Sequence, residues 1–309
     1  MDGIFRIIVP AVAFFCIISI ASLSGLFSER VGIVNIAIEG MMVIGATFYG
    51  LFAQTLGISN PWMQLPLLLI ASLATGLFAL LHGFVTIKLK GDHIISGVAL
   101  NLLAPAISIA LLKLYGTANK FISSTQELAL STNNLTDINN IISLKLFLVI
   151  IIGIAVMIVL NKTKWGLRMR SIGENPQAAD VVGISVSSYK WQGVFISGLL
   201  AGIAGGLFFQ IRGSSFSGGV EGIGFLALAV LIMGQWKASL VFVFSIFFAL
   251  IYSSSLTIAA GQGVFTPFKD YSSLINITPY VFTILILIFT SKNSKAPASV
   301  GQPYDKSKR

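Results

Sequence analysis

Apolar stretches of bilayer length recur along this chain, at 6–27, 33–56, 65–87, 94–112, 144–160, 191–211, 238–259 and 274–290. A hydrocarbon core about 30 Å thick takes about 20 apolar residues in helical form and tolerates no unsatisfied backbone. The pattern therefore predicts an all-α, polytopic integral membrane protein. Counting the shorter run GIGFLALAVLIMGQW, residues 222–236, it has about nine transmembrane helices. That run is short for a crossing, so it either recruits the Gly/Ser-rich turn before it or forms a half-helix at 222–234. Composition agrees, with 55% hydrophobic residues and 10% charged. Residues 1–290 read as the transmembrane domain and 291–309 as a basic, disordered tail.

Charge placement sets the orientation. The formal net charge of +9 could suggest nucleic acid as a partner, but the basic residues follow membrane topology instead. Arg6, Lys113, Lys120, Lys145, Arg212 and Lys269 fall outside, and the remaining Lys and Arg fall inside. This predicts an outside N-terminus, an inside C-terminus and a multi-pass protein of a bacterial cytoplasmic membrane. The first run is long for a signal-peptide core and Arg6 is a thin basic flank, so it reads as a retained span. Residues 113–143 form a polar outer loop, where Asn134-Leu135-Thr136 matches a glycosylation acceptor by chance. The lone cysteine, Cys16, excludes an intramolecular disulfide framework.

The segment 161–190 interrupts the apolar chain with Lys162, Lys164, Arg168, Arg170 and Lys190, which marks it as cytoplasmic. Inside it lies a short helix signal. Asn175 is the N-cap, Pro176 the first helical residue, Gln177 to Val182 the body and Gly183 the stop. A loop that only connects two spans needs no such helix; a docking element does, although a capped surface helix without a partner has the same signature.

Within the spans, Glu39 is the one acidic residue set well inside an apolar run. An ionised group near a helix centre costs about 2.5–3.5 kcal/mol, so it faces protein or water. Either it hydrogen-bonds a neighbouring helix or it lines a path. Asn35 shares its face four residues away. Ser96, Gly97 and Asn101 form a small, polar patch of another span. Gly198, Gly202 and Gly206, beside Ser197, Ala201 and Gly205, make a face for close helix packing.

No GxxxxGK[ST] pattern is present, so the chain carries no such nucleotide site of its own. His82 and His93 form no plausible triad or metal set, and no metal or cofactor is expected. With almost no titratable groups in the spans, a proton-coupled carrier is disfavoured.

Four segments carry a family resemblance: GLFSERVGIVNIAIEGMMVIGA (25–46), GDHIISGVALNLLA (91–104), GLRMRSIGENPQAADVVGI (166–184) and GFLALAVLIMGQW (224–236). They resemble the inner-membrane permeases of ABC importers for branched-chain amino acids, simple sugars and nucleosides, and GDHIISGVALNLLA is most similar to one permease of bacterial nucleoside importers. The resemblance implies alternating access driven by a separate cytoplasmic ABC ATPase, so the chain itself is a transport subunit and not an enzyme. It also implies a second, homologous permease and an extracytoplasmic substrate-binding lipoprotein that delivers a nucleoside. Glu174, Asn175, Pro176, Gln177, Ala178, Ala179 and Gly183 match the coupling-helix motif that seats in the ATPase. Asn35, Glu39, Ser96 and Asn101 are the candidates for the polar lining of the path, chosen by helical position. Two alternatives stay open: a permease for simple sugars or branched-chain amino acids, and an ATP-independent secondary transporter or channel.

Overall fold

The computed structural model describes residues 2–56, 60–121, 141–261, 263–290 and 294–305. Its helices are α1 (Asp2–Arg30), α2 (Ile38–Thr55), α3 (Gln64–Gly83), α4 (His93–Tyr115), α5 (Leu144–Lys162) and α6 (Lys164–Glu174). They continue as α7 (Pro176–Val181), α8 (Val186–Arg212), α9 (Ile223–Met233), α10 (Ala238–Ala259) and α11 (Ser272–Thr290). The Asn134 acceptor motif and most of the polar loop around it lie outside the described residues.

The protein is an all-helical, multi-pass membrane protein. Among the described residues seven helical segments are long and apolar enough to cross a bilayer, formed by α1, α3, α4, α5, α8, α10 and α11. The expected nine are not reached by that measure, for two physical reasons. The 18 residues of α2 are diluted by Glu39 and Gln54. The 11 residues of α9 rise only about 16 Å.

Helix α8 is the central post, and its small residues are the cause. Along α3, running antiparallel, Gly198 faces Gly76, Gly202 faces Ser72, and Gly206 faces Leu68. The second small row faces two other helices: Gly205 abuts the backbone of Met42 in α2, and Ser197 Oγ lies 3.1 Å from Ser24 Oγ of α1. In lipid, where tails are as apolar as leucine, such close backbone approach is the main source of helix association. A Cβ on Gly202 would stand 2.7 Å from both the Ala71 carbonyl oxygen and the Ser72 Cα. These are backbone atoms that cannot rotate away. Gly202→Leu is therefore expected to destabilise the bundle by about 3 kcal/mol, read as a lowered thermal midpoint in detergent.

Helices α2 and α4 run parallel and meet through a polar ladder. The Gly40 N–H donates to Asn101 Oδ1 (2.8 Å), Thr47 Oγ1 to Ser108 Oγ (2.6 Å), and Gln54 Nε2 to the Tyr115 carbonyl (2.6 Å). Each rung is separated by 61 residues in sequence, and the rungs recur at the seven-residue interval of a left-handed helix pair.

The tail departs from the sequence expectation. Residues 294–305 are laid across the bundle rather than disordered. Ser299 N–H donates to the Gly173 carbonyl (2.9 Å), Gly301 N–H to the Gly32 carbonyl (3.2 Å), and Lys90 pairs with Asp305 (2.8 Å). Small polar residues look solvent-bound in composition, but here their backbone groups find fixed partners. Lys292, Lys306, Lys308 and Arg309 lie outside the described residues.

Candidate functional site

The chain breaks its helical run twice inside the bundle, and the expected path residues gather at those breaks. The first break is 31–37, between α1 and α2. Its exposed backbone groups must be satisfied locally, because no water reaches them in lipid. Asn101 does this on one side, donating to the Ile36 carbonyl (2.9 Å) while accepting from Gly40 N–H. His82 does it on another: the Val34 carbonyl accepts from Nε2 (2.9 Å), which leaves Nδ1 to accept from Ser96 Oγ (2.9 Å). Asn35 Nδ2 donates to Ser197 Oγ (2.7 Å), joining the break to α8.

The second break precedes α9. After α8 ends at Arg212, residues 213–222 run as a short 3₁₀ turn and irregular backbone, with Phe216 and Val220 buried. Glu221 and Gly222 both lie in the left-handed region, at φ 58° and 78°. Such non-helical backbone persists at membrane depth only when buried in protein or lining a cavity. Glu39 holds the start of α9: its Oε1 accepts from Gly222 N–H (2.8 Å) and its Oε2 from Gly224 N–H (2.7 Å). A carboxylate at this position satisfies two of the helix's unpaired donors and sits at the positive end of its dipole. Of the four sequence candidates, Glu39 and Asn101 thus bind backbone at the two breaks, whereas Asn35 and Ser96 reach the first break through side chains, those of Ser197 and His82.

A cavity of about 410 Å³ opens beside the second break. It is lined by Arg212 from the end of α8, Glu221 from the irregular segment, Tyr252 and Ser255 from α10, and Asn276 and Tyr280 from α11. Arg212 pairs with the Glu221 carboxylate. Tyr252 OH donates to that carboxylate (3.3 Å), and Tyr280 OH donates to the Glu221 carbonyl. Hydroxyls, an amide and two aromatic faces around a volume of this size suit a small polar molecule with a flat ring. The sequence reading passed over these residues, because Arg212 and Glu221 read as an outer turn and the tyrosines as ordinary span residues. An ion pair at the edge of a half-helix was the available signal.

The other end of the bundle carries α6 and α7 as a hairpin. Helix α6 is a second miss: Trp165, Met169 and Ile172 recur at i, i+4 and i+7, an amphipathic face inside what looked like loop. Helix α7 forms where expected. Asn175 caps it, accepting from Ala178 N–H (3.0 Å), and Pro176 occupies its first turn. Ala179, 4% exposed, packs with Ile172 and Val186 and forms the helix's seat. Glu174, Gln177, Ala178 and Gly183 are exposed around it. Val181 and Val182 project outward at 74% and 73% exposure, an apolar tip that sequence reasoning did not single out. Ser299 Oγ donates to the Ile172 carbonyl (3.0 Å) and also reaches that of Gly173, while Ala298 N–H donates to Glu174 Oε2 (3.4 Å), so the tail straps the hairpin's base. Replacing the cap, Asn175→Ala, is expected to destabilise α7 by about 1 kcal/mol, whereas Asn175→Ser leaves it folded. Hydrogen exchange of residues 176–182 reads the difference.

The family model described as branched-chain amino acid transport system / permease component matches residues 7–290. The nucleoside ABC transporter permease protein NupC of Lactococcus lactis is 38% identical over 93% of this chain and 92% of its own length. The guanosine ABC transporter permease protein NupQ of Bacillus subtilis is 37% identical, covering 99% of this chain and 98% of its own. A second protein of that organism, the guanosine ABC transporter permease protein NupP, is 26% identical over 69% of this chain and 64% of its own. No solved structure matches. With a family model spanning both helix breaks and relatives aligned nearly end to end, the chain belongs to the branched-chain amino acid transport system / permease component family.

Proposed function

We propose that this chain is the membrane permease subunit of an ATP-driven ABC importer for nucleosides. The observation that carries the reading is full-length similarity to two permeases named for nucleoside and guanosine transport. The weaker, partial similarity to the guanosine permease NupP supports a heterodimer with a second, homologous permease. A separate ABC ATPase on the cytoplasmic side and an extracytoplasmic binding lipoprotein complete the assembly. The charge bias of the loops supports a cytosolic C-terminus and a cytosolic α6–α7 hairpin.

In this reading α2 crosses despite its polar residues, and residues 213–222 with α9 make one composite crossing, which restores nine passages. The half-helix start is the gate. A nucleoside enters the cavity beside Glu221, where ring faces and hydroxyls meet base and ribose. Glu39, Asn35, Ser96 and Asn101 position the breaks that must rearrange for it to pass. The hairpin, with α7 as coupling helix, seats in the ATPase, so closure of the ATPase dimer moves α6 and α1 together. Weak contacts along the way suffice, because tight ones retain cargo.

Uptake of labelled guanosine into proteoliposomes holding the complete assembly tests this. ATP-dependent uptake competed by other nucleosides, and not by ribose or leucine, is expected. Competition by leucine or ribose alone would move the chain to a sugar or amino-acid importer, and ATP-independent uptake by this chain alone would make it a secondary transporter.

A further inference from the structure

At the hairpin end, a second cavity of about 310 Å³ lies where α1, α5, α6 and the start of α10 converge. Three cations line it, Arg30, Arg170 and Lys237, and among the described residues no Asp or Glu does. The carboxylates at this end of the same helices are held elsewhere. Glu29 Oε2 accepts from Trp236 Nε1 (2.5 Å), and Glu174 Oε2 accepts from Ala298 N–H. Arg170 Nε is buried without a hydrogen-bond partner, while the Arg30 guanidinium donates to the Trp236 carbonyl. Lys237, Ala238 and Ser239 of the lining are also the N-cap and first turn of α10, which has no side-chain cap. The Lys237 N–H donates to the Gly234 carbonyl (2.9 Å), while the first-turn N–H groups after it add donors and the positive end of a dipole to the three cations.

Arg30 and Arg170 repel one another, and the one carboxylate whose charge favours Arg30, Glu174, stands outside the lining; with three cations on one void and no carboxylate in its wall, an anion that fills it is stabilised. The remaining wall narrows the choice. Leu26, Met157 and Leu160 give the cavity a hydrocarbon side. The same helix α5 also exposes Ile150, Ile151, Ile154 and Ile158. A pocket lined by both cations and hydrocarbon, on a helix that also carries an exposed apolar face, matches an amphiphile. We propose that this cavity binds a phosphate-bearing anion, supplied by the headgroup of an anionic phospholipid. Placing it in the cytoplasmic leaflet rests on the orientation proposed above; the anion chemistry does not. Because Arg170 belongs to α6, an occupied site ties the hairpin to α1 and α10 at the membrane surface.

The full chain, with the subunits that purify with it, is exchanged into nanodiscs of phosphatidylcholine and phosphatidylglycerol and released for native mass spectrometry. Wild type is expected to retain phosphatidylglycerol, and Arg170→Gln/Lys237→Gln to retain at least roughly tenfold less. The charge-preserving Arg170→Lys/Lys237→Arg should keep it. So should Lys162→Gln/Lys164→Gln, which removes the same charge from exposed positions nearby. Lys237 is exposed, so Lys237→Gln alone reports the loss if the double variant does not fold. In a second arm, delipidated protein is titrated with inorganic phosphate. Binding there that depends on Arg170 and Lys237, without lipid retention, keeps the site and assigns it to a soluble anion. Equal behaviour of wild type and the cavity variants in both arms, or an equal loss in the Lys162/Lys164 control, overturns the proposal. Neither arm reads transport, so its failure is separable from failure of the permease reading.

Discussion

Glu39→Ala is expected to abolish ATP-driven uptake while leaving a folded, membrane-inserted chain. The carboxylate accepts from two backbone N–H groups at the start of α9. Its loss strands both donors in a part-buried site and removes the anion from the dipole. Each charge-assisted bond contributes about 1.5–3 kcal/mol, so the local penalty is about 3–6 kcal/mol, concentrated on one short helix. Helix α9 has only three turns with which to resist it. Glu39→Gln keeps one acceptor oxygen and turns the other position into a donor facing a donor, so it should be intermediate. The measurement pairs initial uptake rates with thermal unfolding. If uptake by Glu39→Ala matches wild type, the clamp is not part of the moving machinery.

The second large effect is expected at the opposite end. Val181→Asp/Val182→Asp places two charges on the exposed apolar tip of α7, and Ala178→Asp places one beside it. None of the three side chains is buried within this chain, so the bundle should fold normally. If the tip seats in a groove of the ATPase, each new charge is desolvated there without a partner, which costs several kcal/mol. Copurification of the ATPase and ATP-dependent uptake should both fall by more than about tenfold. Retained binding and uptake in both variants would remove α7 from the coupling role.

These two sites differed in how legible they were. Helix α7 could be read from sequence because its signals are local: Asn175 caps, Pro176 starts, Gly183 stops. Glu39 stood out because an acid in an apolar run has few cheap options, yet sequence alone left two of them open. The structure adds that its partners are backbone N–H groups of Gly222 and Gly224, which lie 183 and 185 residues away. No periodicity reports a contact of that kind. The same limit hid the α2–α4 ladder, whose rungs are individually unremarkable residues such as Thr47 and Ser108. The small-residue face of α8 was visible, but which helix met which row was not. Helix α6 was missed for a different reason: its many cations masked the Trp165, Met169 and Ile172 stripe. The tail misled because residues 294–305 bind through backbone and short hydroxyl side chains, which polar composition does not distinguish from solvation.

The central claim is that a membrane body without its own engine is worked through one small knob on its cytosolic side. Cys16 is the only cysteine and is fully buried, so a cysteine introduced at the tip can be labelled against a silent background. Val182→Cys, exposed to a membrane-impermeant maleimide in sealed vesicles of each orientation, measures the side directly. Labelling in inside-out vesicles alone, with protection when the ATPase is bound, is the expected result. Labelling of right-side-out vesicles from the external medium would contradict the account.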